Sequence, residues 1–274
     1  MFTLLVCHRR ARGVSYGAFA EHFRGPRRAL VVADQVKLGF STYRQLIQVP
    51  RTNLLYQGVR MTRIPPVTAL VAGHPLRALK ALSGRPPRLA DEAWDAVEEL
   101  EYPSRDALVS ALSTRDAQRV ADRLVADQAN ISRRTAVVVT ECFLAVPEPA
   151  VPGAGRTATL FFLRAVPGST RADMLEHWGT SHRELFISLR PTLRYDEYAQ
   201  LHVRSGPDVS AAARALGDAG GPEFDGIAKV GYASATSIAA CFASPAALAA
   251  NVRLVRDEVT FIDGHRSVLV YGGR

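Results

Sequence analysis

Apolar residues fall along this chain in two rhythms, and the same succession of rhythms comes round twice. Phe2–His8 and Thr157–Leu163 are short apolar runs of strand length. Each is followed by a turn and a helical stretch, with Ser15 and Ser169/Thr170 placed as helix caps. In the second of these helices Leu175, Trp178, His182, Leu185 and Leu189 recur at three- and four-residue spacing, the buried stripe of an amphipathic helix. The pattern then predicts a strand over Tyr43–Val49 or Tyr198–Val203, a loop, and a strand over Trp94–Tyr102 or Phe224–Tyr232. A second helix follows over Arg105–Leu124 or Thr236–Val255, and Ala136–Phe143 or Ser267–Tyr271 closes each half as a strand.

The residues themselves repeat as well. Glu21-His22-Phe23 returns as Glu176-His177-Trp178, Arg28-Ala29-Leu30 as Arg183-Glu184-Leu185, and Tyr43-Arg44-Gln45-Leu46 as Tyr198-Ala199-Gln200-Leu201, all 155 positions on. Trp94-Asp95-Ala96-Val97 matches Phe224-Asp225-Gly226-Ile227, Tyr102 matches Tyr232 and Asp127 matches Asp257, now 130 positions on. The difference places one insertion of 25 residues in the first copy, within the Pro-, Gly- and Arg-rich stretch Arg51–Ala90. Two halves follow, 1–146 and 157–274, joined by the Pro/Gly-rich segment Pro147–Arg156. The order β-α-β-β-α-β is the ferredoxin-like split βαβ, an α+β unit whose sheet has one face without helices. Two such units can bury those bare faces on each other, which predicts an intramolecular dimeric α+β barrel.

Composition narrows the picture only slightly. A chain of 274 residues, 47% hydrophobic and 22% charged, can bury a sizeable core and is neither disordered nor a disulfide framework. The net charge of +8 invites a nucleic-acid reading. However, all but Lys37, Lys80 and Lys229 of the 34 basic residues are Arg, and they are scattered rather than gathered into a stripe. The expectation is no nucleic acid. Three distant cysteines, Cys7, Cys142 and Cys241, form no CxxC pair, which favours a reducing cytoplasm. Phe2–Cys7 is too short for a signal-peptide core, and no run is long enough to span a bilayer, so no membrane partner is expected.

At its motifs the chain resembles the EthD family of the dimeric α+β barrel superfamily, as a fused tandem. The family's first helix carries an aromatic and, four residues on, a His, as in Trp178-Gly179-Thr180-Ser181-His182. Its second strand often reads Tyr-x-Gln-x-His, present as Tyr198-Ala199-Gln200-Leu201-His202. Its third strand is matched by Asp225-Gly226-Ile227-Ala228, with Lys229 where an acid is common, and its acid-rich last helix by Asp257-Glu258 and Asp263. The first half is a worn copy: Phe23 stands for the aromatic, Arg27 for His182 and Ile47 for His202, while Glu98-Glu99 keeps the acid. The resemblance implies relatives that are cofactor-independent monooxygenases, cyclases, dehydratases, decarboxylases or lactone isomerases. More distant ones bind haem.

Among individual residues His182 is the first candidate, because a partly buried imidazole on the sheet-facing stripe can take and return a proton near neutrality. A core histidine bonded to a backbone carbonyl is the competing reading. His202, Tyr198 and Gln200 share one side of a strand. If that side lines a cavity they converge with His182 on one substrate, with Trp178 as a wall. If it faces the other sheet they are packing. Asp225 and Lys229 fall on one side of a strand and could pair, Asp225 otherwise contacting substrate. Arg27 could bind a substrate carboxylate or enolate, or extend to solvent. His22 and His177, equivalent in the two halves, read as structural or surface residues. His177 and His182, five apart on a helix, should point away from each other, which argues against a shared metal. His8 could point into the first pocket, and His74 and His265 read as loop residues.

No GxSxG elbow, P-loop, HExxH or Rossmann fingerprint is present, so no cofactor is implied. The sequence therefore leads to a cofactor-free enzyme of aromatic polyketide or similar secondary metabolism. It would cyclise, dehydrate or decarboxylate a polyphenolic or β-keto substrate, working as a monomeric pseudo-dimer or a homodimer. Cofactor-independent oxygenation of an electron-rich phenol is the alternative within the fold. A non-catalytic small-molecule binder or assembly subunit is the alternative outside it.

Overall fold

A computed structural model describes residues 1–50, 94–147, 156–220, 223–241, 243–264 and 266–273. The expected insertion within Arg51–Ala90, most of the expected linker, His74 and His265 lie outside the described residues. Among the described residues there are eight strands: β1 (Phe2–Arg10), β2 (Thr42–Gln48), β3 (Ala96–Tyr102), β4 (Ser132–Val146), β5 (Thr157–Leu163), β6 (Glu197–Val203), β7 (Gly226–Tyr232) and β8 (Val268–Gly273). They close into one antiparallel barrel in the order β1-β3-β2-β8-β5-β7-β6-β4. Read in two runs, the order is β4-β1-β3-β2 and β8-β5-β7-β6, so corresponding strands of the two halves hold corresponding places.

Alternation along the strands sorts side chains into two layers. One set, including Leu5, Cys7, Leu46, Val97, Leu160, Phe162, Leu201, Ile227 and Val270, fills the barrel interior with residues from both halves. Lys229 lies inside with them. Its Nζ is 2.5 Å from Glu99 Oε2 and 3.1 Å from Glu197 Oε1, and all three side chains are buried. An ion pair between the halves thus occupies the interior, and it replaces the expected Asp225–Lys229 pair. Asp225 lies just ahead of β7, where its Oδ2 accepts from the Ala165 backbone N–H at 2.8 Å.

The other set of side chains faces the helices. Helix α1 (Tyr16–His22) runs through a π turn at Phe23–Arg27 into α2 (Arg28–Ala33). The second helix of the first half is broken into α3 (Arg105–Leu112) and α4 (Arg115–Ile131), because Thr114 turns its hydroxyl back to cap the Ala117 N–H. In the second half α5 (Arg171–His177), a π turn at Trp178–His182 and α6 (Arg183–Ser188) repeat the first arrangement. The expected loop after β6 contains α7 (Pro207–Ala215), whose Val209, Ala212 and Ala213 pack against first-half residues including Leu108, Leu124 and Val137. The helix expected over Thr236–Val255 is two helices, α8 (Ala235–Ala240) and α9 (Pro245–Phe261). Ser244 caps the second at the Ala247 N–H, and Pro245 has no N–H with which to continue the first. No helix among the described residues is long and apolar enough to cross a membrane.

Two glycines are required by close approach. A Cβ on Gly226 would come within 2.4 Å of the Trp178 ring, and one on Gly272 within 2.0 Å of the Ile47 carbonyl oxygen. The first lets the indole ring press close against β7. The second closes the β2–β8 seam, where Ile47 pairs with Gly273 and Gln48 with Gly272.

Candidate active site

Between the second-half sheet and its helices lies a cavity lined by Phe161, Trp178, His182, Phe186, Tyr198 and Glu258 among others. The cavity volume is about 60 Å³. Its walls are largely aromatic and aliphatic, with His182, Tyr198 and Glu258 as polar groups among them. The side of β6 bearing Tyr198, Gln200 and His202 faces this helix layer and not the opposite sheet, since the intervening Ala199 and Leu201 fill the barrel interior.

His182 is 3% exposed and its Nδ1 lies 2.7 Å from Asp257 Oδ2. The other carboxylate oxygen, Asp257 Oδ1, is 2.9 Å from His177 Nε2. Two imidazoles thus share one carboxylate, contrary to the expectation that a five-residue spacing separates them. The reason is the π turn at Trp178–His182: an i→i+5 repeat brings residues five apart onto the same face, where an α-helix would splay them. Burial opposes ionisation of Asp257, but hydrogen bonds from His182 and His177 outweigh it and hold the carboxyl below its ordinary range. With Nδ1 engaged, Nε2 is the ring nitrogen left for the cavity.

The π turn is held from the sheet. Gln200 Nε2 donates to the Trp178 carbonyl at 2.7 Å and to Tyr198 Oη at 2.9 Å. Because Tyr198 Oη accepts this bond, its own O–H remains a donor towards the cavity. Burial raises the Tyr198 pKa, so the phenol stays protonated. Gln200 therefore positions its neighbours; its amide is spent on them.

His202 is not in the cavity lining. Its ring stacks on Trp178 at 5.1 Å and 24°, packs on Phe143 at 4.4 Å, and leaves Nε2 buried without a hydrogen-bond partner among the described residues. Burial, helped by the Arg204 charge, lowers its pKa to about 4. Trp178 is both the wall of the cavity and the plate on which His202 rests. The Cys241 thiol also lines the cavity, but burial pushes it up to about 11, which keeps it a thiol at neutral pH.

In the first half the same framework is filled. His22 Nε2 lies 2.9 Å from Asp127 Oδ1, and Arg27 Nη1 reaches Asp127 Oδ2 at 3.3 Å. Gln45 Nε2 donates to the Phe23 carbonyl at 2.8 Å and to Tyr43 Oη at 2.7 Å. Arg27, 1% exposed, does not extend to solvent; its Nη2 is 2.8 Å from Glu98 Oε2. The Glu98 carboxylate also takes bonds from His8 Nε2 at 2.9 Å and Tyr43 Oη at 2.5 Å. Burial works against this charge, but Arg27 and His8 prevail and hold Glu98 well below the carboxylate range. Among the described residues no group of three or more His, Cys, Asp or Glu is arranged to hold a metal.

A closed eight-stranded antiparallel barrel with helices packed outside, and a cavity between sheet and helix, defines an α+β barrel protein with room for a small molecule. Residues 166–265, a stretch that includes Trp178, His182 and His202, match the EthD domain family. Two solved structures share the fold across nearly the whole chain. An anthrone oxidase-like protein is 10% identical with a TM-score of 0.53, covering 99% of this chain and 90% of that one. A monooxygenase candidate from Fusobacterium nucleatum subsp. nucleatum is 6% identical with a TM-score of 0.52, covering 99% and 91%. No curated protein matches the sequence.

Proposed function

We propose that the second-half cavity binds a small planar phenol or enolisable ketone and that His182 moves a proton on it. The observation that carries this reading is His182 itself, buried at the cavity wall with Nδ1 fixed on Asp257, which leaves Nε2 as its other ring nitrogen. Nε2 takes a proton from the carbon beside a carbonyl, and the C–H electron pair moves to the carbonyl oxygen. The Tyr198 O–H donates to the oxygen that gains charge, and Asp257 stabilises the imidazolium. The imidazolium then returns its proton to carbon, or to a departing hydroxyl in a dehydration. Cyclisation, dehydration and decarboxylation of an aromatic polyketide or β-keto substrate all begin or end with such a step, and the chain would be a lyase or cyclase of that metabolism. We assign the chain as a fused duplication, 1–146 and 157–274, whose second half keeps the working site. Three free cysteines suit a reducing cytoplasm.

Oxygenation of an electron-rich phenol or anthrone is the second reading. The anion that His182 would generate is also the species that gives up an electron to dioxygen, and one structural neighbour is called anthrone oxidase-like. Incubating the protein with anthrone in deuterated buffer, under air and under nitrogen, tests both. Proton-transfer catalysis predicts accelerated deuterium uptake at the methylene carbon in either atmosphere; oxygenation adds oxygen consumption under air. Binding with neither deuterium uptake nor oxygen consumption would leave a binding protein.

A further inference from the structure

The two halves differ most sharply at one strand position. Glu98 lies opposite Val6 and Gln45 in the first sheet; Ala228 lies opposite Phe161 and Gln200 in the second. Each partner of one is the residue 155 positions from the partner of the other, so register alone makes Glu98 and Ala228 equivalent. Around both positions the same donors are arranged. Gln45 bonds Tyr43, which donates to the Glu98 carboxylate; Gln200 bonds Tyr198, whose donor faces the cavity. Arg27 reaches Glu98 from the π turn of the first half, and His182 stands at its place in the second. Asp127 and Asp257 support Arg27 and His182 in turn.

We infer that Glu98 is a built-in occupant of the first-half pocket, and that its carboxylate marks where the second-half pocket holds a negatively charged oxygen of its ligand. The inference rests on the reading of the second-half cavity as a binding site and specifies the charge and the position of what binds. Ala228 is then a specificity-determining residue: it withholds a side chain so that a ligand's phenolate, enolate or carboxylate oxygen can accept from Tyr198 Oη and His182 Nε2. The protonated form of His182 supplies the charge that Arg27 supplies in the first half. The first half cannot bind such a ligand, because its own carboxylate already satisfies those donors.

The test uses 4-nitrophenol, whose anion is yellow and whose neutral form is not. At a pH where the free compound is mostly neutral, wild-type protein should bind it and turn it yellow. Ala228→Glu should weaken that binding about 100-fold or more, because a second anion is then forced against the first. His182→Arg/Ala228→Glu should fold and bind nothing, since it rebuilds the Arg–Glu pair of the first half. Melting curves separate lost binding from lost folding, and the double variant carries the test should the single one unfold. Uptake of nitrophenol in its colourless form, or retention of the yellow complex by Ala228→Glu, overturns the oxyanion assignment and leaves the cavity reading standing. A wild-type protein that ignores nitrophenol but speeds deuterium exchange on anthrone overturns the assignment alone. Failure of both measurements overturns the assignment together with the reading beneath it.

Discussion

Gln200 reaches across from β6 to the carbonyl of Trp178, 2.7 Å away, and so fixes the first residue of the turn that carries His182. Gln45 makes the same bond to Phe23 at 2.8 Å, in a half whose pocket is filled. A bond kept where no ligand can enter is a positioning bond. Gln200→Leu leaves a buried carbonyl and a tyrosine hydroxyl without their donor, which costs about 1–3 kcal/mol. Thermal or urea unfolding should show that loss. Weakened nitrophenol binding at unchanged stability would instead make Gln200 a ligand contact.

Asp257 joins two histidines that α-helical geometry would have kept apart. Asp257→Asn keeps the shape but removes the charge that stabilises the His182 imidazolium, so proton exchange should fall about 100-fold or more. The sign of the pH effect follows from the depressed carboxyl. Its contribution to stability is present above the unfolded value of 3.8 and is lost as pH falls through the lower folded value. Acid unfolding of Asp257→Asn should therefore lack part of the wild-type loss below that pH. An unchanged exchange rate would remove Asp257 from the account.

The α+β barrel was legible in the sequence because strand alternation is a local signal. The alignment of Tyr43 with Tyr198 and of Trp94 with Phe224 is what supports the proposed duplication. The site was legible in part. Of the candidate residues, Trp178, His182 and Tyr198, marked by spacing and by the family resemblance, line the cavity. His202 was drawn into the site by strand alternation, which puts it on the correct face of β6 but says nothing of Trp178 lying between it and the cavity. The His177–Asp257–His182 group was missed because an α-helical period was assumed where the backbone makes a π turn. A signal did exist: His22 and Asp127 persist in the worn half beside His177 and Asp257 in the other. Arg27 and Glu98 are 71 positions apart, and no local pattern tells that their charges meet.

His202 sets a different pH dependence. Its pKa falls from an ordinary 6.5 to about 4, because burial and the charges of Arg204 and Arg171 disfavour the imidazolium more than Glu141 favours it. A histidine with a depressed pKa stabilises the fold above its unfolded value. That contribution shrinks as pH falls from 6.5 towards 4. His8, also depressed by burial, acts in the same direction, so the difference between proteins is the readout. His202→Phe, which preserves stacking on Trp178, should lose less stability than wild type across that interval. Equal losses in urea titrations at each pH would show that His202 is not held neutral.

The central claim is that His182 moves the proton, and solvent deuterium exchange on anthrone measures it without knowledge of the natural product. Under nitrogen, by proton NMR, wild-type protein should exchange the methylene hydrogens well above the buffer rate. His182→Ala, folded and of unchanged secondary structure, should fall about 100-fold or more towards that background. A folded His182→Ala protein that exchanges anthrone as fast as wild type would contradict the account.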